Sequence, residues 1–351
     1  MAGIRAPLRS LVEGLSPAVF AMVMATGSVS IAAYSLGFRA IGVALFVLNL
    51  ATYGICWALS VARLARCAHR VRADLLDHTR GPAFFTVVAA TCVLGSQFIQ
   101  IRGGYRTAAG LWLLGLVLWI VLTYTIFTGL TVKEEKPSLA QGISGAWLLA
   151  VVATQSVALL SAQLSDFFEP YRLTMNFFAL SMWRWGGMLY IWMISLIFYR
   201  YTFFRFSPSD LTPPYWINMG AMAISTLVGA VLITNTTHAP FLLSTLPFLK
   251  GFTIFYWATG SWWLPMLVIL AIWRHVYKRF PLRYDPLYWG AVFPLGMYSV
   301  CTLAISRAMA LRFLEPIPRY FIYVGLVAWL ATFTGLLSSV ARGLRRWRDV
   351  R

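Results

Sequence analysis

Apolar segments of about 20 residues, long enough to cross a ~30 Å hydrocarbon layer, recur along the whole of this chain and leave no length over for a soluble domain. Ten are expected, near residues 15–36, 40–62, 82–100, 108–130, 139–162, 176–199, 213–234, 250–273, 286–306 and 319–340. Within lipid, backbone polar groups must be satisfied inside the segment, so each is read as a helix. Composition agrees: 11% of the 351 residues are charged and 60% are hydrophobic, where a soluble domain carries about a quarter charged residues. The expectation is one all-α integral membrane domain over residues 1–351, with a short leading segment (1–14) and a basic tail (341–351).

The net charge of +18 does not gather on one polar element, as nucleic-acid binding would require. Most of the 29 basic residues sit in the loops of one side, from Arg5 and Arg9 through Arg63, Arg80, Lys133, Arg200, Arg274 and Arg283 to Arg342 and Arg351. The positive-inside rule then puts both termini in the cytoplasm of a cell with this chain in its plasma membrane, a bacterial inner membrane. Residues 1–14 lead into a full-length span with no small-residue cleavage site, so no signal peptide is expected. Cys56, Cys67, Cys92 and Cys301 lack metal-type spacing and read as small buried apolar residues.

Each odd-numbered span is preceded by an acid and then a proline: Glu13 and Pro17, Asp77 and Pro82, Glu135 and Pro137, Asp210 and Pro213, Asp285 and Pro286. An acid can satisfy orphan amides at a helix start, and a proline has no amide to orphan. Five instances at alternate spans point to five copies of a helical hairpin. The odd spans hold glycines and small polar residues, which allow close helix contact and avoid lipid, and they are read as an inner layer. The even spans hold most of the 15 tryptophans and are read as peripheral, facing the lipid boundary.

Five uncharged helices around one axis could enclose a narrow pore. Its lining candidates are Thr26, Ser28, Gln97, Thr154, Gln155, Asn218 and Ser299, with hydrogen bonding between helices as the alternative use of Gln97 and Gln155. No odd span carries an ionisable group across its core, which favours passive permeation over proton coupling. Five helix N-termini and the basic loops at one mouth favour anions. The ninth span also carries Pro294 in its interior, flanked by Gly290 and Gly296; in an ordinary helix this costs about 3 kcal/mol. Irregular backbone at membrane depth is tolerated where it lines a cavity.

The stretches YWGAVFPLGMYS, GAWLLAVVATQ, DLTPPYWINMGAMA and MATGSVSIA resemble the tellurite-resistance/dicarboxylate transporter family, within the voltage-dependent anion channel superfamily. That family includes plant slow-type anion channels and fungal malate and sulfite transporters. The resemblance covers essentially the whole chain. It implies ten transmembrane helices as five hairpins in quasi-five-fold arrangement around a central pore, and a homotrimer with one pore per subunit. It also implies a pore-plugging phenylalanine at the position of Phe293, with Gly290, Pro294 and Gly296 as the hinge that moves it. Small anions are the implied substrates: C4-dicarboxylates such as malate, or chloride, nitrate or sulfite. A proton-motive-force-coupled dicarboxylate or sulfite exporter is the alternative, and the resemblance to tellurite-resistance proteins does not make tellurite the cargo.

Asp74, Asp77 and His78 are a conceivable metal-ligand group, with helix capping as the competing use. Arg184, inside the sixth span, either snorkels to the interface or attracts anions at the outer mouth. The basic tail suits anionic lipid as well as orientation. No nucleotide loop, zincin helix or nucleophile elbow is present, so no enzymatic activity and no cofactor are expected.

Overall fold

The computed structural model describes residues 12–349, and its regular structure is helical throughout. Arg5, Arg9 and Arg351 of the basic set lie outside those residues. Ten long helices follow one another: α1 (Pro17–Ser35), α2 (Arg39–Leu75), α3 (Gly81–Arg102), α4 (Tyr105–Val132), α5 (Gly145–Gln163), α6 (Arg172–Phe203), α7 (Pro213–Asn235), α8 (Leu246–Tyr277), α9 (Pro286–Ala308) and α10 (Arg312–Gly343). Among the described residues, nine are long and apolar enough to cross a membrane. The other, α6, has the length but carries Arg172, Arg184 and Arg200. The chain is an integral membrane protein.

Odd and even helices form two layers. Each odd helix packs on two other odd helices, in the cyclic order α1, α3, α5, α7, α9 and back to α1. Each even helix packs outside its own hairpin partner and also touches the odd helix that comes next around the ring. All five odd helices open with a tight 3₁₀ turn: Pro17–Phe20, Gly81–Phe85, Gly145–Leu148, Pro213–Trp216 and Pro286–Tyr288. Those turns touch one another in the same cyclic order, so all five helices start at one end of the ring.

The helix starts depart from the sequence reading in detail. Asp285 does cap its helix, accepting from the Leu287 amide at 2.8 Å, but serines cap two others: Ser16 accepts from Ala18 at 3.2 Å and Ser144 from Ala146 at 3.4 Å. A serine next to the first turn needs less reach than an acid several residues earlier. The acids instead close turns or meet arginines. Asp77 accepts from the amides of Thr79 and Arg80, each at 2.9 Å, and Glu13 lies 3.4 Å from Arg70. The fifth segment also begins later than expected. Leu139–Gly142 is a separate short helix, the chain is extended at Ile143 and Ser144, and α5 starts at Gly145. Only glycine fits there, because a Cβ would come within 2.5 Å of the Pro214 carbonyl oxygen at the start of α7.

Candidate functional site

The five odd helices surround a common axis. Near the helix starts it holds a cavity of about 20 Å³, to which every odd helix contributes a wall: Ala21, Thr86, Leu149, Ile217 and Gly290. That is room for about one water. Met24 also lines the cavity. Phe293, one turn beyond Gly290 on the same helix face, is completely buried, as is Met24. The walls are apolar apart from Thr86, whose hydroxyl donates to the Ala83 carbonyl at 2.7 Å.

Pro294 has a packing partner that explains its presence in α9. Its ring seats on Gly220 of α7, where a Cβ would come within 2.6 Å of the proline Cγ. On the opposite flank Gly296 seats on α1, where a Cβ would meet the Ser28 hydroxyl at 2.6 Å and the Val29 amide nitrogen at 2.8 Å. These two contacts clamp α9 between its ring neighbours. Gly290 is looser: the nearest atom to a Cβ there, the Cα of Pro214, is at 3.6 Å. Because proline lacks an N–H, the Gly290 carbonyl has no helical donor four residues on.

Ser28 stands one turn past Met24 on α1, where α1 packs against α9. Its hydroxyl bonds the carbonyls of Ala25 at 2.9 Å and Phe293 at 3.2 Å, joining α1 to the helix that carries Phe293. The other polar candidates turn elsewhere. Thr26 accepts from the Trp329 indole at 3.0 Å. Thr154 accepts from the Trp119 indole at 2.8 Å and donates to the Ala150 carbonyl at 2.8 Å. The Gln97 Oε1 accepts from Asn49 of α2 at 2.7 Å, Gln155 donates to the Trp183 carbonyl of α6 at 3.0 Å, and Asn218 bonds the Tyr201 hydroxyl of α6 at 3.4 Å. Ser299 reaches only its own helix, at the Leu295 carbonyl, 3.5 Å away.

These bonds belong to a pattern that sequence reasoning missed. Every even helix sends an aromatic side chain that hydrogen-bonds to the odd helix beginning the next hairpin. Tyr53 of α2 meets Thr91 of α3 at 2.9 Å, and Trp119 of α4 meets Thr154 of α5. Trp183 of α6 donates to the Ser225 carbonyl of α7 at 2.7 Å, and Trp257 of α8 to Thr302 of α9 at 3.1 Å. Trp329 of α10 closes the circle on Thr26 of α1. The tryptophans read from sequence as lipid-facing therefore also pin the two layers together. Sequence does not single out these pairs, because even spans carry several indoles and phenols and the acceptor at Ser225 is a backbone carbonyl.

At the end where the odd helices start, buried arginines brace the loops. The buried Arg63 and the exposed Arg80 both meet Asp74, at 2.6 and 2.8 Å, and the buried Arg200 meets Asp210 at 3.4 Å and the Ala140 carbonyl at 2.7 Å. Asp74, Asp77 and His78 do not converge as ligands, and the described residues hold no group of three metal-binding side chains. Burial raises the Asp77 carboxyl pKa, but the Thr79 hydroxyl, the amides of Arg80 and Thr79 and the Lys133 charge outweigh it and hold it below the usual carboxylate range. His78 is lowered by burial and by Lys133. Arg184 lies over the Phe248 ring at 4.7 Å.

Comparison with known proteins follows the same outline. The family model described as voltage-dependent anion channel matches residues 14–337. An uncharacterised membrane protein of Mycobacterium tuberculosis is 39% identical over 158 residues, 45% of this chain and 80% of the relative. An uncharacterised transporter of Methanocaldococcus jannaschii is 22% identical over 96% of this chain and 98% of its own. A sulfite efflux pump of Trichophyton rubrum is 22% identical over 92% and 90% respectively. Since the family match runs from the first helix into the tenth, this chain belongs to the voltage-dependent anion channel family.

Proposed function

We propose that this protein is a passive pathway for small anions: ten membrane spans as five hairpins in quasi-five-fold arrangement around a central pore, closed by the ring of Phe293. The observation that carries the reading is the axial cavity walled by all five odd helices, with the buried Phe293 one turn further along. An apolar constriction of this width closes by dewetting and needs no charged gate. Opening would move the Phe293 ring. Gly290, with its slack and a carbonyl that lacks the usual donor four residues on, is the natural hinge, and Pro294 and Gly296 are the pivots on α7 and α1. Of the polar candidates, we take Ser28 as the one to meet permeating ions, because its hydroxyl bonds the Phe293 carbonyl and would be freed if that residue moved.

The substrates proposed are small anions, from halide, nitrate and sulfite to C4-dicarboxylates such as malate. The arrangement is taken to be a homotrimer in a plasma membrane with both termini cytoplasmic. The sulfite efflux pump among the relatives favours a second reading, a proton-coupled exporter. Against it, no ionisable side chain is among those walling the axial cavity.

Anion flux into liposomes, at set membrane potential and without a pH gradient, separates the two. Phe293→Ala should raise chloride or malate flux at least tenfold. A silent variant beside native protein that accumulates substrate under a pH gradient would establish the exporter instead.

A further inference from the structure

Three arginines buried near the starts of the odd helices, Arg63, Arg200 and Arg274, are 5, 7 and 9% exposed. Two of them face a carboxylate, Asp74 for Arg63 and Asp210 for Arg200. Among the described residues no carboxylate lies within 4.0 Å of Arg274. Its Nη1 donates to the Leu211 carbonyl, the Phe280 ring covers the guanidinium at 4.4 Å, and its Nε is buried with no acceptor; the Arg63 Nε and the Arg200 Nη1 share that feature, so the missing carboxylate is what sets Arg274 apart. Asp285, the acid at the start of α9, is exposed and spends one oxygen on the Leu287 amide. An arginine cannot shed its proton to escape burial, and a buried charge without a counter-charge is costly.

The local backbone is shaped to hold Arg274 there. The end of α8 unwinds into a π turn, Trp273–Tyr277, a feature that recurs at functional sites. Beyond it Arg279 adopts a left-handed φ of 50°, and the Phe280 amide returns to the Arg274 carbonyl at 3.0 Å. This reversal lays Phe280 over the guanidinium. Leu211, the residue that Arg274 grips, lies just ahead of the first turn of α7. That turn touches the first turn of α9, and the two contribute Pro214 and Leu287 to the axial cavity. The unpaired N–H therefore sits behind the α7–α9 quadrant of the mouth, where two helix N-termini add partial positive charge.

We propose that Arg274 holds a small inorganic anion at the α7–α9 side of the mouth and thereby draws anions toward the axis. The second half of this statement rests on the pore reading; the binding half does not. A guanidinium this enclosed suits a compact anion such as chloride or nitrate better than a bulky one.

The test uses purified full-length protein in detergent. Nitrate or chloride is titrated in place of gluconate at constant ionic strength while the thermal midpoint is followed, since a ligand that binds the native state raises it. The native chain should show a saturable rise, and Arg274→Gln should weaken apparent affinity at least tenfold. Arg106→Gln, which changes an exposed arginine on α4, should leave it unchanged. If Arg274→Gln does not fold, Arg274→Lys decides: it keeps the charge but loses the fork, and a several-fold weaker affinity supports the site. No anion-specific rise, or an equal rise in the native and Arg274 variants, overturns it. Reversal potential under a chloride gradient then tests the pathway half in the Phe293→Ala background, where Arg274→Gln should lower anion over cation selectivity at least threefold. An unchanged ratio removes Arg274 from the pathway. A Phe293→Ala protein that carries no current counts against the pore reading, while the titration still decides the site.

Discussion

The odd and even helices differ less in apolarity than in what surrounds them. In their most apolar stretches the odd helices are 72–94% buried, whereas the four even helices with comparable stretches are 17–33% buried. A helix wrapped by protein must offer small residues on every side so that neighbours can approach, and α7 does this with Gly220 and Gly229. A helix facing lipid needs bulk on one side only, and α4 exposes Leu113, Val117, Val121 and Tyr124. With little hydrophobic drive for association inside a membrane, close packing and buried hydrogen bonds hold the layers together. The outer layer thus acts as a belt whose aromatic buckles reach into the ring.

The sharpest way to break this contrast is at the axis. Phe293→Ala, which would empty the proposed constriction without touching the belt, is expected to raise anion flux tenfold or more in liposomes. Next comes the contact between odd helices. Gly296→Val would push a branched side chain into the Ser28 hydroxyl and the Val29 backbone, and overpacking of this kind costs about 1–3 kcal/mol. A lowered thermal midpoint should report it, whereas Gly110→Val on α4, where a Cβ meets nothing within 4 Å, should leave the midpoint nearly unchanged.

The buckles come third. Trp119→Phe removes the indole donor to Thr154 while keeping most of the ring, and about 0.6–1.7 kcal/mol is expected from membrane hydrogen bonds. Pairing it with Thr154→Val in a double-mutant cycle isolates the bond; strict additivity would mean that the belt works by packing alone. Smaller still is the acid response of the loops. Asp77 and Asp210 titrate below ordinary carboxylates in the folded chain, so their contribution is complete above the unfolded-state value of about 3.9. It is lost as pH falls through the folded values. Thermal midpoints should stay flat for these groups from pH 7 to 5 and drop below about 4, and Asp77→Asn should flatten part of that drop. The smallest effect belongs to the lipid face: Val121→Ala should change stability by less than about 0.5 kcal/mol.

Much of this contrast was legible beforehand. Span length, the repeated acid-and-proline starts and the segregation of glycine from tryptophan gave the hairpins and the two layers. The direction of each side chain was not legible. An inner helix is apolar all round and has no polar face to orient it, so Thr26 and Thr154, which turn to the belt, could not be told from Ser28, which bonds the neighbouring inner helix α9. Nor could the caps, because both Ser16 and Glu13 lie within reach of the same turn in sequence.

By itself the sequence determined that the chain lies in a membrane as repeated helical pairs, because twenty-residue apolar runs admit few other solutions in lipid. Only the tertiary structure decided which atoms meet. Gly220 receives Pro294, the indoles of one hairpin reach the hydroxyls of the next, and Arg274 is buried beside Leu211 without an acid. Those pairings join residues tens to hundreds of positions apart, and their partners are set by the angular position of each side chain around its helix. Closing the ring fixes those angles, and no single segment encodes them alone.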